Sequence, residues 1–217
     1  MQNQSEAFTL FDRGWIVRIQ PPKTEGPHRV MLLLHGFTGD ERVMWVFTRN
    51  LPQDYWLLAL RAPHAASQGG YSWVADRSGS AREFDAFAAV IPGLVSSVQA
   101  WLKERGVPLQ PLHLMGFSQG AALCYTMLLT QSDLIGKTAA LAGMLPNGAE
   151  KYALPGSLTG KSVLITHGTQ DAIVPVSMAR AAASVLHEAG ADVTYCEDDS
   201  GHKLGPGCHK SLGSFFA

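Results

Sequence analysis

The chain has 217 residues, 46% hydrophobic and 16% charged, with a formal net charge of −1. That length suits a single domain (residues 1–217) with one sizeable core. The composition excludes a disordered chain, and the charge leaves no basic stripe for a nucleic-acid partner. The three cysteines, Cys124, Cys196 and Cys208, are odd in number and have no C-x-x-C spacing. They read as free thiols in a reducing, cytoplasmic setting, and as neither a zinc site nor a disulfide framework.

In chain order, Met1–Glu6 lacks the basic and apolar regions of a secretory leader. Apolar runs of about five or six residues fall well short of a membrane span, so no integral membrane association is expected. Trp15–Ile19 alternates and predicts a half-exposed strand. Val30–Leu34 and Tyr55–Leu60 are continuous apolar runs, the pattern of parallel strands buried on both faces. Ser80–Arg105 has apolar residues at helical spacing, with Pro92-Gly93 expected to kink or split it. Leu112–Met115 predicts a strand and Gln119–Thr130 a helix apolar nearly all round, hence buried. Strands follow at Thr138–Ala142, Ser162–Thr166 and Val193–Cys196. Helices are expected at Ser177–Ala189, starting on a Ser and stopping at Gly190, and at Lys210–Phe216. Glycine-rich stretches at 67–70 and 200–207 read as loops at strand ends. Alternating strands and helices predict an α/β protein with a mostly parallel sheet covered on both faces. Trp45 and Phe47 fit either a homodimer contact or core.

The chemistry concentrates where strands end. Gly116-Phe117-Ser118-Gln119-Gly120 lies between a predicted strand and a predicted helix. The two glycines permit a sharp turn that exposes Ser118 as a nucleophile. A serine hydroxyl needs a base, and the base needs a group that fixes its tautomer and balances its charge. Asp171, shortly beyond the strand Ser162–Thr166, lies at the carboxyl edge of the sheet and is the candidate acid. Glu197, Asp198 and Asp199 crowd after the last strand and read as solvated. His202, in the loop Asp199-Ser-Gly-His202, is the candidate base. Of the eight histidines, His35 and His167 each end a strand before a glycine and read as loop braces bonded to backbone. The order Ser, Asp, His is the α/β-hydrolase order. The oxyanion needs two donors. One is the Gln119 N–H, at the start of its helix, where the dipole favours negative charge. The other lies in His35-Gly36-Phe37-Thr38-Gly39-Asp40-Glu41: the Phe37 N–H, with Thr38 as its competitor.

These residues make the chain resemble the phospholipase/carboxylesterase family of α/β-hydrolases, which includes acyl-protein thioesterases and small carboxylesterases. The resemblance rests on Leu34-His35-Gly36, Arg61-Ala62-Pro63, Gly70-Tyr71-Ser72-Trp73 and Gly116–Ala122, with His167-Gly168, Asp171, Val174-Pro175 and Gly201-His202. It covers about residues 30 to 206. It implies an α/β-hydrolase fold without a large cap domain and a serine carboxylesterase acting on small-molecule or lipid-like esters. Lysophospholipids and acyl thioesters are the alternatives, and no metal or organic cofactor is implied. The chain departs from the family's usual Leu-Gly-Asp, placing Phe37 in the oxyanion loop and shifting the Asp to position 40. It also has Val74 where an aromatic is usual. Both changes fall on the pocket lining, so the family's acyl-chain preference does not transfer. Trp73 is implied beside the site. Phe37, Trp73, Met144, Leu145, Ile173 and Val174 are candidates for an apolar acyl groove, and no site loop offers an arginine clamp. The rival from another class is a hydrolase-fold binding module without activity. Every triad position is filled, which speaks against it.

Overall fold

The computed structural model describes residues 7–10, 14–75 and 82–217. Met1–Glu6 and the first two residues of the predicted helix at 80–105 lie outside them. The principal sheet has eight strands: β1 (Ala7–Leu10), β2 (Ile16–Gln20), β3 (Arg29–Leu34), β4 (Tyr55–Leu60), β7 (Leu112–Phe117), β8 (Ile135–Leu141), β9 (Ser162–Gly168) and β10 (Asp192–Asp198). A two-stranded ribbon of β5 (His64–Ala65) and β6 (Tyr71–Ser72) stands apart. Spatial order in the large sheet is β1-β2-β4-β3-β7-β8-β9-β10. β1 and β2 are antiparallel additions at one edge, and all the pairings from β4 to β10 are parallel.

Side-chain alternation divides β3 between two cores. Val30, Leu32 and Leu34 face α1 (Phe84–Ala88), α2 (Ile91–Glu104), α3 (Gln119–Thr130) and α4 (Val176–Glu188). Met31 and Leu33 face Met44, in a short 3-10 turn, and Leu212 and Phe216 of α5 (Pro206–Phe216). All five of these β3 side chains are fully buried, as a continuous apolar run in a sheet covered on both faces requires. α3 is buried from Gly120 to Leu128 without a solvent face. It crosses directly over β3, β7 and β8, which explains its lack of polar periodicity.

The long helical pattern is split, one turn earlier than the Pro-Gly pair suggested. α1 ends at Ala88, and Pro92 sits in the first turn of α2, where its missing N–H costs no hydrogen bond. By length and apolarity Phe84–Glu104 would pass for a membrane span. Its apolar stripe, Leu94, Val98 and Leu102, is instead covered within the first core. α4 begins after Pro175 and carries no side-chain cap, so Ser177 is not its starting signal.

Two other expectations are corrected. Cys196, on β10, and Cys208, on α5, form a disulfide; only Cys124 is free, and it is buried. The bridge joins residues far enough apart in sequence that spacing alone gave no signal. The reducing compartment inferred from free thiols loses that support. Asp198 is not solvated: its carboxylate is half-buried, accepts the Ser200 hydroxyl at 2.5 Å and lies against Gly205. Trp45 and Phe47 are partly buried and pack on the second core, with Phe47 stacked on Phe117.

Candidate active site

The chain runs from β3 outward to β4, then returns to the other side of β3 for β7. The loops leaving β3 and β7 therefore diverge, opening a crevice at the carboxyl edge of the sheet. Leu34 pairs with Gly116, Phe117 with Leu141, and Leu141 with Thr166. The ends of these strands are thus level, and four loops converge on one spot.

Ser118 sits between β7 and α3 with φ 53 and ψ −113, a backbone state that L residues rarely occupy and that costs of order 1–3 kcal/mol. Its surroundings enforce it. The Ser118 N–H donates to Leu141 O at 2.8 Å. A Cβ on Gly116 would lie 2.2 Å from Gly120 O, and one on Gly120 would lie 2.0 Å from Leu34 O. Both glycines are there because backbone passes against backbone at those positions, as well as for the turn itself.

His202 Nε2 is 2.9 Å from Ser118 Oγ, and its Nδ1 is 2.7 Å from Asp171 Oδ2. In that arrangement the Ser118 hydroxyl donates to Nε2, while Nδ1–H donates to the carboxylate. Asp171 Oδ1 accepts the Ile173 and Val174 N–H groups, each at 2.9 Å. The Asp171 side chain is fully covered. Burial pushes its carboxyl upward, but the Val174 N–H, His202 and the Ile173 N–H outweigh that and hold it below the ordinary aspartate value. His167 Nε2 donates to Val174 O at 2.8 Å and lies 3.3 Å from Asp171 Oδ2. It braces the turn that presents the acid, in keeping with its reading as a loop brace. His202 also packs against the ring of Phe117, with centroids 5.1 Å apart.

The loop after β3 is clamped by the β5–β6 ribbon. Thr38, at φ 64, donates its N–H to Tyr71 O at 3.0 Å, and Tyr71 N–H donates to Gly39 O at 3.1 Å. A Cβ on Gly70 would fall 1.9 Å from Thr38 O. Glu41 is fully buried and takes a bidentate bond from Arg61, at 2.6 and 2.8 Å. Arg61 also donates to the Tyr71 hydroxyl. Burial opposes ionisation of Glu41, but Arg61 overcomes it and lowers the carboxyl pKa. His35 is likewise a brace. Burial lowers its pKa, and the neutral ring donates from Nδ1 to Gly36 O and accepts the Ala62 N–H at Nε2.

Ser118 opens onto a cavity of ≈ 270 Å³. Phe37, Met144, Ile173 and Val174 line it, as does Val74. Of the groove candidates, Trp73 and Leu145 do not. Trp73 is fully buried behind the loop after β3, stacked on Trp15 and donating Nε1–H to His35 O at 2.7 Å. Leu145 packs against the first core. One lining residue that the sequence reading did not place at the site is Arg82. It fell inside the predicted helix, but the helix begins at Phe84, which leaves Arg82 in the approach loop. Sequence reading also missed the Gln119 side chain. Its Oε1 accepts the Trp73 N–H at 2.9 Å and its Nε2 donates to Ser72 Oγ at 3.0 Å. The residue after Ser118 therefore also fixes the cavity wall. Its adjacency to Ser118 was visible in the sequence; its partner strand was not. Among the described residues, no group of His, Cys, Asp and Glu has the arrangement of a metal site.

Comparison with known proteins shows the family. Residues 16–215 match the phospholipase/carboxylesterase family. Esterase YpfH of Escherichia coli is 29% identical over 117 residues, 54% of this chain and 48% of that protein. Acyl-protein thioesterase 1 of Eremothecium gossypii is 28% identical over 120 residues, 55% of this chain and 49% of that protein. The chain thus aligns with about half the length of the curated relatives it matches. The crystal structure of a Mesorhizobium loti carboxylesterase superposes with a TM-score of 0.80 at 22% identity, covering 95% of this chain and 97% of that one. At that identity the likeness speaks for the α/β-hydrolase fold alone. The family match, spanning nearly the whole chain, carries the assignment: this protein belongs to the phospholipase/carboxylesterase family of α/β-hydrolases.

Proposed function

We propose that the protein is a serine carboxylesterase acting on small or lipid-like carboxylic esters through a Ser118–His202–Asp171 triad. The observation that carries this is the continuous hydrogen-bonded chain from Ser118 Oγ through the His202 ring to a buried, ionised Asp171, beside an apolar cavity. Ser118 Oγ attacks the ester carbonyl carbon as its proton passes to His202 Nε2. The resulting imidazolium is stabilised and oriented by Asp171. Collapse of the tetrahedral intermediate breaks the bond to the leaving alcohol, which takes the proton back from His202. Water then attacks the acyl-enzyme by the same route, and the carboxylic acid leaves.

The oxyanion donors are the N–H groups of Phe37 and Gln119. The Thr38 N–H is occupied by Tyr71 O, which favours Phe37 over its competitor. Gln119 is the first residue of α3, so its N–H has no partner within the helix and stands at the positive end of the dipole. Each such donor contributes on the order of 3 kcal/mol to transition-state stabilisation. Phe37, Val74, Met144, Ile173 and Val174 receive the acyl chain.

The test is covalent labelling with a fluorophosphonate probe. Wild type is expected to label, and Ser118→Ala and His202→Ala are not. Equal labelling of wild type and Ser118→Ala sinks the assignment. A chain-length series of p-nitrophenyl esters run beside an acyl-thioester series separates carboxylesterase from thioesterase. The similarity to an acyl-protein thioesterase makes the thioester series the informative one. Chelation by EDTA is expected to leave activity intact.

A further inference from the structure

Building on the esterase reading, we infer that Arg82 is a specificity residue that binds an anionic oxygen group, carboxylate or phosphate, carried by the ester substrate. Among the described residues that line the cavity of Ser118, Arg82 is the one charged side chain; Val74, Ala75, Phe87, Ala122 and Met144 give the rest an apolar character. No carboxylate of the described residues neutralises it. Asp171 is covered and committed to His202 and two backbone N–H groups. The neighbouring Glu83 accepts Asn147 Nδ2–H at 2.9 Å.

The arginine is anchored at its base. Its carbonyl accepts the Asn147 N–H at 2.8 Å. Phe84, two residues on, is buried, donates its N–H to Asn147 O at 3.0 Å and stacks on Tyr152 with ring centroids 4.1 Å apart. Arg82 therefore lines the cavity from a backbone tied to Asn147, and as an exposed residue it is accessible to an incoming ligand. A planar fork of donors suits carboxylate and phosphate oxygens, which it can bind in pairs. At the edge of an apolar cavity the attraction is screened less than in open water. An ester with no charge gains nothing from this group, whereas an anionic one is both attracted and oriented.

The source of the anion is settled by two matched pairs of substrates. Monoethyl adipate and ethyl hexanoate differ by a carboxylate at the far end of the acyl chain. 1-Hexanoylglycerol 3-phosphate and 1-hexanoylglycerol differ by a phosphate on the leaving-group side. kcat/KM is measured for all four with wild type, Arg82→Gln and Arg82→Lys. In at least one pair, the anionic-to-neutral ratio is expected to fall roughly tenfold in Arg82→Gln, the size of a charge-assisted hydrogen bond. Arg82→Lys should retain part of the ratio, and added salt should erode it in wild type. The pair that responds places the anion on the acyl or the alcohol side. Ratios unchanged by Arg82→Gln in both pairs overturn the inference while leaving the esterase reading intact. If wild type hydrolyses none of the four esters, the esterase reading fails and the inference falls with it.

Discussion

The elbow around Ser118 and the loop around His202 meet through a hydrogen bond and the Phe117–His202 ring contact, yet they are held by different means. The elbow is fixed by exclusion. Gly116 and Gly120 have no room for a Cβ, and Ser118 keeps a strained backbone because the strands and α3 leave it no other course. The His202 loop is fixed by tethers. The disulfide Cys196–Cys208 brackets it, Asp198 bonds Ser200 within it, and a Cβ on Gly201 would come no nearer than 3.8 Å to Gln170 O. A nucleophile that must be presented at one angle is built into packed backbone. His202, the candidate base, sits on a loop tethered at both ends and also held in its middle, where Ser200 O accepts the Gln170 N–H at 2.9 Å and a Cβ on Gly168 would fall 2.1 Å from Ser200 O.

The largest effect should come from the one residue that serves the tethered side alone. Asp171→Asn keeps the shape but removes the charge that orients His202, and kcat is expected to fall by about 10³–10⁴, read as steady-state ester hydrolysis. A loss under about tenfold would mean that the loop positions His202 without its acid. The same carboxylate links stability to pH. Its native pKa is depressed below 3.8, so its contribution is full above that value and is lost as pH falls through the native value. Asp171→Asn, which has no such contribution to lose, should therefore show less acid-induced loss of stability than wild type as pH falls through that range, monitored by circular dichroism.

Next in size, Gly120→Ala forces a Cβ into backbone and should destabilise the fold by roughly 3 kcal/mol or more, measured by urea unfolding. A wild-type-like midpoint would show that the elbow has slack. Removing a tether should cost less. Cys208→Ser opens a loop of 12 residues in sequence separation, and a loss of about 2–3 kcal/mol is expected. Labelling of Ser118 should persist in that variant, since Asp171 still holds His202. The smallest effect should be that of Gly201→Ala, within about 0.5 kcal/mol. A large loss there would erase the contrast between the two regions.

Much of the site was legible because its chemistry is written in short local strings at strand ends. Ser118 lies inside its own pentapeptide, and Asp171 and His202 each follow a recognisable strand. The bracing roles of His35 and His167 were readable for the same reason: each follows its strand directly and bonds backbone close by or one loop away. Other parts were not legible. Trp73 lies between the cavity residues Ser72 and Val74 but packs behind them, because its ring is taken up by Trp15 and His35, from distant parts of the chain. Arg82 was hidden by helical periodicity that continued past the real start of the helix. The pairing of Cys196 with Cys208 depended on α5 folding back beside β10.

The sequence alone pointed to the esterase family and the mostly parallel sheet, and it brought Ser118, Asp171 and His202 forward as candidates, since each is tied to a local pattern of strand, glycine and loop. Only the tertiary structure decided that the Thr38 N–H of the loop after β3 is occupied, which side chains reach the cavity, and that an arginine stands among them. Those outcomes depend on segments distant in the chain: Tyr71 capturing Thr38, Gln119 bonding Trp73, and Asn147 anchoring Arg82. Local patterns specify what a residue can do. Packing between remote segments specifies which way it faces, and so what it meets.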